Sequence, residues 1–296
     1  MRTAPYSENG KRQSRRPEAE RAYLAALLSL CLGLLLSSCH VTQAQPAPVD
    51  SFRLLHILPL EAKWFTVDKL QQAYLVTSRN AVAKFGPDGK ELFRYNNNTR
   101  GELASIDATD PFNLLLFYPD LQGIATLDRT MNETGWLLLF SAGIVNASAV
   151  ALAPDNNIWV YDQATFQLRK IAPDGTVLAT TENLSAQMLQ PPYASQALAR
   201  ENFVFLYGPT QGVFLFDNFG QFYRLLELPG YQQFQVQGET LLLYTPGDYR
   251  AYSLDRLQSA ALPLPERGRH AKQVAWQGRL LYLLNEKGMV EVYERL

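Results

Sequence analysis

AVALAPDNNIWVYDQATFQLRKIAPDGTVLATTEN, residues 149–183, contains four short apolar or alternating segments, at 149–152, 158–161, 168–171 and 177–181. Turn formers separate them: Pro154-Asp155-Asn156-Asn157, Asp162-Gln163 and Pro173-Asp174-Gly175. Short β-type runs punctuated in this way describe an antiparallel meander of four strands. A meander of about 35 residues cannot bury both of its faces alone, so it has to stack on copies of itself.

Relatives of the second segment recur along the chain. Val76 in AYLVT, Phe117 in NLLLFY, Val160 in NIWVY, Leu206 in FVFLY, Tyr244 in LLLYT and Leu283 in LLYLL are 41, 43, 46, 38 and 39 residues apart. That is the period of propeller blades rather than of leucine-rich or helical solenoids. A third strand ends nine to eleven residues after each, at Phe85, Leu127, Ile171, Phe216, Leu254 and Tyr293. Outer strands follow turns such as Pro87-Asp88-Gly89 and Pro173-Asp174-Gly175, where glycine supplies the positive φ of a tight corner. Inner strands are expected at 63–67, 104–108, 149–152, 195–199, 233–236 and 273–276; small and polar residues are frequent there, as suits strands crowded around a channel.

The sixth unit stops after its third strand, and residues 52–58, FRLLHIL, belong to no other unit. One amino-terminal strand added to three carboxyl-terminal ones closes the ring and removes its exposed edges. The expected fold is all-β, a six-bladed propeller of four-stranded antiparallel blades over residues 51–296. No helix-period segment of useful length follows residue 38.

The first 38 residues differ in kind. Arg2, Lys11, Arg12, Arg15, Arg16 and Arg21 precede a fifteen-residue apolar run, Ala22 to Leu36, which small residues follow. This is the pattern of an export signal, and the run is short for a membrane-spanning helix. Leu36-Ser37-Ser38-Cys39 resembles the lipobox of bacterial lipoproteins. The resemblance implies a signal at 1–38, acylation of Cys39, a tether at 39–50 and attachment to the membrane through the lipid. His40 in place of Asp after the Cys implies the outer membrane, and the absence of an acidic cluster there favours its periplasmic face. The basic region is long for a signal and contains Glu8, Glu18 and Glu20; a misassigned start codon accounts for this better than the twin-arginine motif that Ser14-Arg15-Arg16 superficially suggests.

Six of the 27 Lys and Arg and three of the 28 Asp and Glu lie in residues 1–38, leaving 21 against 25 and a net charge of -4. A mildly acidic surface offers nucleic acid no attraction.

The third unit, Ala153-Pro154-Asp155-Asn156-Asn157-Ile158-Trp159-Val160-Tyr161-Asp162 with Pro173-Asp174-Gly175, resembles an NHL-type repeat, and 82–90 in the first unit shares it. The resemblance implies a six-bladed propeller of the broad NHL and TolB-like kind. Propeller ligands meet the face formed by the loops between second and third strands and by the segments leading into inner strands. Arg79, Arg100, Arg269, His270 and Lys272 make that face locally basic, with Tyr193, Tyr231 and Tyr249 among the loops. This set could suit an anionic or peptide ligand; solvated loop charge is the plainer reading and the favoured one.

Catalytic residues and cofactors are not indicated. His56 and His270 are the histidines of the domain; His56 reads as packed in the closing strand, and no His or Cys cluster suggests zinc or thiol chemistry. The alternative is a metal-dependent lactonase. Glu61-Ala62-Lys63-Trp64 faintly resembles the Glu-Gly-Pro-x-Trp of the gluconolactonase family, which implies a divalent cation such as calcium held by Glu61, Asn146 and Asp162. The Gly-Pro of that pattern is absent here. The principal expectation is a non-catalytic envelope lipoprotein whose propeller binds or scaffolds a protein, peptide or glycan partner.

Overall fold

A computed structural model describes residues 52–296; the export signal, lipobox and tether expected before them lie outside the described residues. Strand β1 (Phe52–Glu61) opens the described chain. Blade one then consists of β2 (Trp64–Val67), β3 (Ala73–Val76), β4 (Val82–Phe85) and β5 (Glu91–Tyr95). Blade two has β6 (Ser105–Asp110), β7 (Asn113–Tyr118), β8 (Gly123–Asp128) and β9 (Glu133–Leu138). Blade three has β10 (Ala147–Leu152), β11 (Ile158–Asp162), β12 (Gln167–Ile171) and β13 (Val177–Thr180). Blade four has β14 (Gln196–Arg200), β15 (Phe203–Gly208), β16 (Gly212–Asp217) and β17 (Phe222–Leu226). Blade five has β18 (Gln233–Gln237), β19 (Thr240–Thr245), β20 (Asp248–Ser253) and β21 (Gln258–Ala261). Blade six has β22 (Gln273–Gln277), β23 (Leu280–Leu284) and β24 (Met289–Arg295), with β1 as its fourth strand in the order β1-β24-β23-β22.

The six antiparallel sheets and the borrowed closing strand are those the repeat period predicts. In the closing pair, Leu54 faces Tyr293 and His56 faces Val292. The strand runs on to Glu61, beyond the expected end at Leu58, because it lies at the outer edge of its sheet. An edge strand tolerates Pro59, which has no N–H to donate, and β1 shifts register between Ile57 and Glu61. Among the described residues, helix is confined to short turns; Leu184–Gln187 is one, capped by Asn183 accepting from the Ser185 amide at 2.8 Å.

Six apolar clusters lie between neighbouring blades, so each blade is held on both sides. Leu58 and Val292 pack with Phe65 and Phe85 between blades six and one, while Trp159 and Tyr161 pack with Leu206 and Phe214 between blades three and four. Continuous runs of buried residues in second strands follow from this, since the inner strand of a blade and both its faces screen them from water. The predicted corners are present: Gly89 and Gly175 have φ of 78° and 91°. At Gly89 a Cβ would lie 2.6 Å from His56 Cδ2, so the corner and the closing strand require glycine together.

Candidate functional site

All six inner strands line a central cavity of about 340 Å³. Its wall mixes small, amide and hydroxyl side chains such as Thr66, Ser105, Gln196 and Gln273 with apolar ones such as Ile106, Val150, Leu198 and Phe234. Several of these amides hold the ring together. Gln273 Nε2 donates to the Phe65 carbonyl at 2.6 Å and its Oε1 accepts from the Phe65 amide at 2.9 Å, bridging blade six to blade one. Gln233 spans blades five and six in the same way, to Lys272 and Val274, and Gln235 accepts from Trp276.

Asp107 is the one carboxylate in the cavity wall among the described residues, and its oxygens are committed. Oδ2 accepts from the Leu152 amide of blade three at 2.8 Å, and Oδ1 accepts from the Thr109 amide and hydroxyl. Arg200 reaches from blade four to the same Thr109 hydroxyl in blade two. Burial bears against the Arg200 charge and the nearby Asp107 carboxylate offsets part of that. This brace stands where β6 and β14 end, away from the loop face.

The loop face is fixed by tyrosines that end second strands. Tyr161 donates to the Pro192 carbonyl at 2.8 Å, Tyr207 to that of Tyr231, and Tyr244 to that of Ala271 at 2.6 Å. Each acceptor lies in the segment leading into the next blade. Burial pushes Tyr207 and Tyr244 up to about 12, so both remain donors near neutrality.

The expected partner-binding residues divide into two groups. Arg79, Arg269 and His270 are exposed on the loop face, beside exposed Lys272. Tyr193 is 60% exposed and packs edge-on against Phe166. Arg100 is engaged instead: it forks onto Glu133 at 2.7 and 2.8 Å and stacks on the Trp136 ring, tying blade one to blade two. Tyr231 is half-buried, its hydroxyl 3.2 Å from Asp248. Tyr249 is buried between blades five and six, stacked on Trp276, so the expectation that it meets a ligand is corrected. Its place beside a hairpin turn is visible in sequence, but its inward direction depends on the neighbouring blade.

The lactonase set is not brought together. Glu61 ends the outermost strand of blade six, rather than opening the first inner strand. Asn146 and Asp162 adjoin one another in blade three, on the opposite side of the ring, where the Gln163 amide donates to the Asn146 carbonyl at 2.8 Å. Asp162 is fully buried, 3.8 Å from Arg169, a cationic neighbour that disfavours a metal ion. Among the described residues no group of three His, Cys, Asp or Glu could hold a metal.

Beyond Tyr193, the residue pattern did not single out the exposed apolar side chains that gather with it on this face: Leu121, Phe140, Val145 and Leu189. They lie on connected backbone. Leu139 N donates to the Gln122 carbonyl, Gln122 Nε2 to that of Ala147, Gln163 N to that of Asn146, and Gln163 Nε2 to that of Pro192. The arc therefore runs over blades two to four. Residues 184–195 and 139–148 contain no charged residue, and this lack of charge was the available sequence signal.

No family model matches the chain, and no curated protein matches it. Solved structures do. The Pan2 WD40 domain of Neurospora crassa is 11% identical with a TM-score of 0.60, covering 84% of this chain and 98% of that one. Virginiamycin B lyase from Staphylococcus aureus, in a catalytically inactive form with quinupristin, is 11% identical with a TM-score of 0.58, covering 83% and 100%. A streptogramin B lyase is 10% identical with a TM-score of 0.53, covering 83% and 88%. At such identities the likeness is one of fold alone, and the fold includes lyases, so architecture by itself selects no function.

Proposed function

We propose that this chain is a non-catalytic envelope lipoprotein, its propeller of the NHL-like or TolB-like kind, which binds or scaffolds a protein partner through the loop face. Cys39 carries the lipid in this reading, and the domain is attached to the outer membrane on its periplasmic side. The observation that carries the proposal is the connected arc of exposed apolar side chains Leu121, Phe140, Val145, Leu189 and Tyr193 on the loop face. Apolar side chains exposed together on a rigid rim are characteristic of a surface that a partner covers. Exposed Arg79, Arg269 and Lys272, on blades one and six of the same face, would meet acidic groups of the same partner. The absence of a free carboxylate or histidine in the cavity wall, among the described residues, supports binding over hydrolysis.

The test places a photo-crosslinking amino acid at Leu189 or Tyr193 in intact cells, with Tyr223 on the outer strand of blade four as the comparison. A discrete adduct from the first two positions, weakened by Phe140→Ser with Val145→Ser, is expected. Equal adducts from all three positions, or none, would refute loop-face binding. The lactonase alternative makes the opposite forecast: added calcium raises the melting temperature and the purified protein opens lactones.

A further inference from the structure

Strand β1 starts at the face opposite the loops, since Phe52 pairs with Arg295 at the far end of β24. The chain therefore enters the propeller on this turn face. Phe52 lies edge-on to Trp276, their ring centroids 5.8 Å apart. Beside that contact a cleft of about 480 Å³ separates blades five and six. Leu242, Leu262 and Trp276 line its depth, and Arg279, Arg295 and Leu296 its opening.

The cleft mouth is cationic on balance, with Arg53, Arg279 and Arg295 against Glu294, while exposed carboxylates such as Asp88, Asp155, Asp174, Glu239 and Asp255 stand at other turns of this face. Arg53 and Arg279 share one side-chain carboxylate, Glu294, at 2.6 and 3.6 Å. The guanidinium of Arg295 lies 5.3 Å from the centre of the Trp276 ring. On the same face, turn tips in blades one, two, four and five expose large apolar side chains: Leu70, Phe112, Phe219 and Leu257, with Phe219 78% exposed. Polar residues would hold these tight turns equally well, so the turns themselves do not require side chains of this kind.

We propose that the turn face lies against an anionic phospholipid surface, with one acyl chain in the cleft between blades five and six and the phosphate held by Arg279 and Arg295. Leu242, Leu262 and Trp276 remove the acyl chain from water, and the guanidinium groups at the opening meet the headgroup. The apolar tips enter the interface in the manner of amphipathic membrane anchors. The entry of the chain on this face argues for lipid as occupant, because the apolar run 22–36 and Cys39 both precede Phe52. With the turn face down, the loop face opens away from the bilayer, where a soluble partner can reach it. The inference rests on the lipid anchor of the proposed function but concerns the opposite face, so partner binding at the loops and lipid contact at the turns are tested apart.

The test reconstitutes the full chain in vesicles containing phosphatidylglycerol with a photoactivatable group on its acyl chain, and maps the adducts by mass spectrometry. Adducts are expected on peptides carrying Leu242, Leu262, Trp276 or Leu296. The double variant Arg279→Glu with Arg295→Glu should lower their yield about thirtyfold or more, on the scale of reversing two charges at an anionic surface. Arg94→Glu with Arg224→Glu, the same charge change on outer strands of blades one and four, should leave the yield unaltered. Adducts confined to residues outside the cleft, a yield indifferent to Arg279 and Arg295, or equal yields from phosphatidylcholine would each overturn the proposal.

Discussion

At the scale of single residues, several polar side chains of this propeller act as ties between blades. Asp107 shows it: a carboxylate in the channel wall looks catalytic in isolation, yet it accepts from the Leu152 amide of the next blade and from Thr109. Asp107→Ala leaves a buried amide without an acceptor, which costs about 1–3 kcal/mol. The expected result is a lower urea midpoint with unchanged crosslinking at Leu189; unchanged stability would show that the tie is weak. His56 makes the closing strand sensitive to acid. Burial lowers its pKa below 6.5, partly opposed by the Asp88 charge. The unfolded chain therefore takes up the proton first, and stability falls as pH drops below about 6.5. Glu291 acts at lower pH. Burial raises its pKa, but hydrogen bonds from Tyr293 and Asn285 and the charge of Arg267 outweigh burial and hold it below 4.5. Its contribution is present above 4.5 and is lost as pH falls through its folded value. Urea midpoints between pH 7.5 and 5 should decline more steeply for the native chain than for His56→Gln; parallel curves would contradict this account.

At the scale of elements, the segments that build the loop face have little structure of their own and take their shape from the blade before them. The 184–194 segment contains one helical turn and is tied by Tyr161 donating to the Pro192 carbonyl. Tyr161→Phe should cost about 1 kcal/mol and, more tellingly, speed amide exchange over 184–194 while leaving β11 and β12 protected. Uniform acceleration across the blade would mean that the hydroxyl stabilises the core instead. Blade strands were legible in sequence because period-two apolarity and Asp-Gly corners are local properties. The extension of β1 past Pro59 was not, since a proline stops a central strand and spares an edge strand, and only pairing reveals which one is present.

At the scale of the whole molecule, closure decides stability. Removing residues 52–61 uncovers the edge of β24 and one side of the Leu58, Phe65 and Val292 cluster. The shortened chain should aggregate or pair edge to edge, as gel filtration would reveal. Moving the same residues to follow Leu296 through a short linker should restore a monomer that melts within a few degrees of the native chain, because Phe52 and Arg295 are already neighbours. A permuted chain that fails to fold would place the importance of β1 in its order along the sequence rather than in its pairing.

The sequence by itself determined the number of blades, the corners and the origin of the last strand, because each is written as a periodic pattern that every compact arrangement of the chain must satisfy. It also located the loop face and its exposed cations Arg79, Arg269 and Lys272. The tertiary structure alone decided which loop side chains are free. Arg100 is drawn to Glu133, Tyr249 turns in beneath Trp276, and Glu61 lies across the ring from Asp162. Those outcomes depend on contacts between blades, made by residues whose separation along the chain bears no relation to their distance in space.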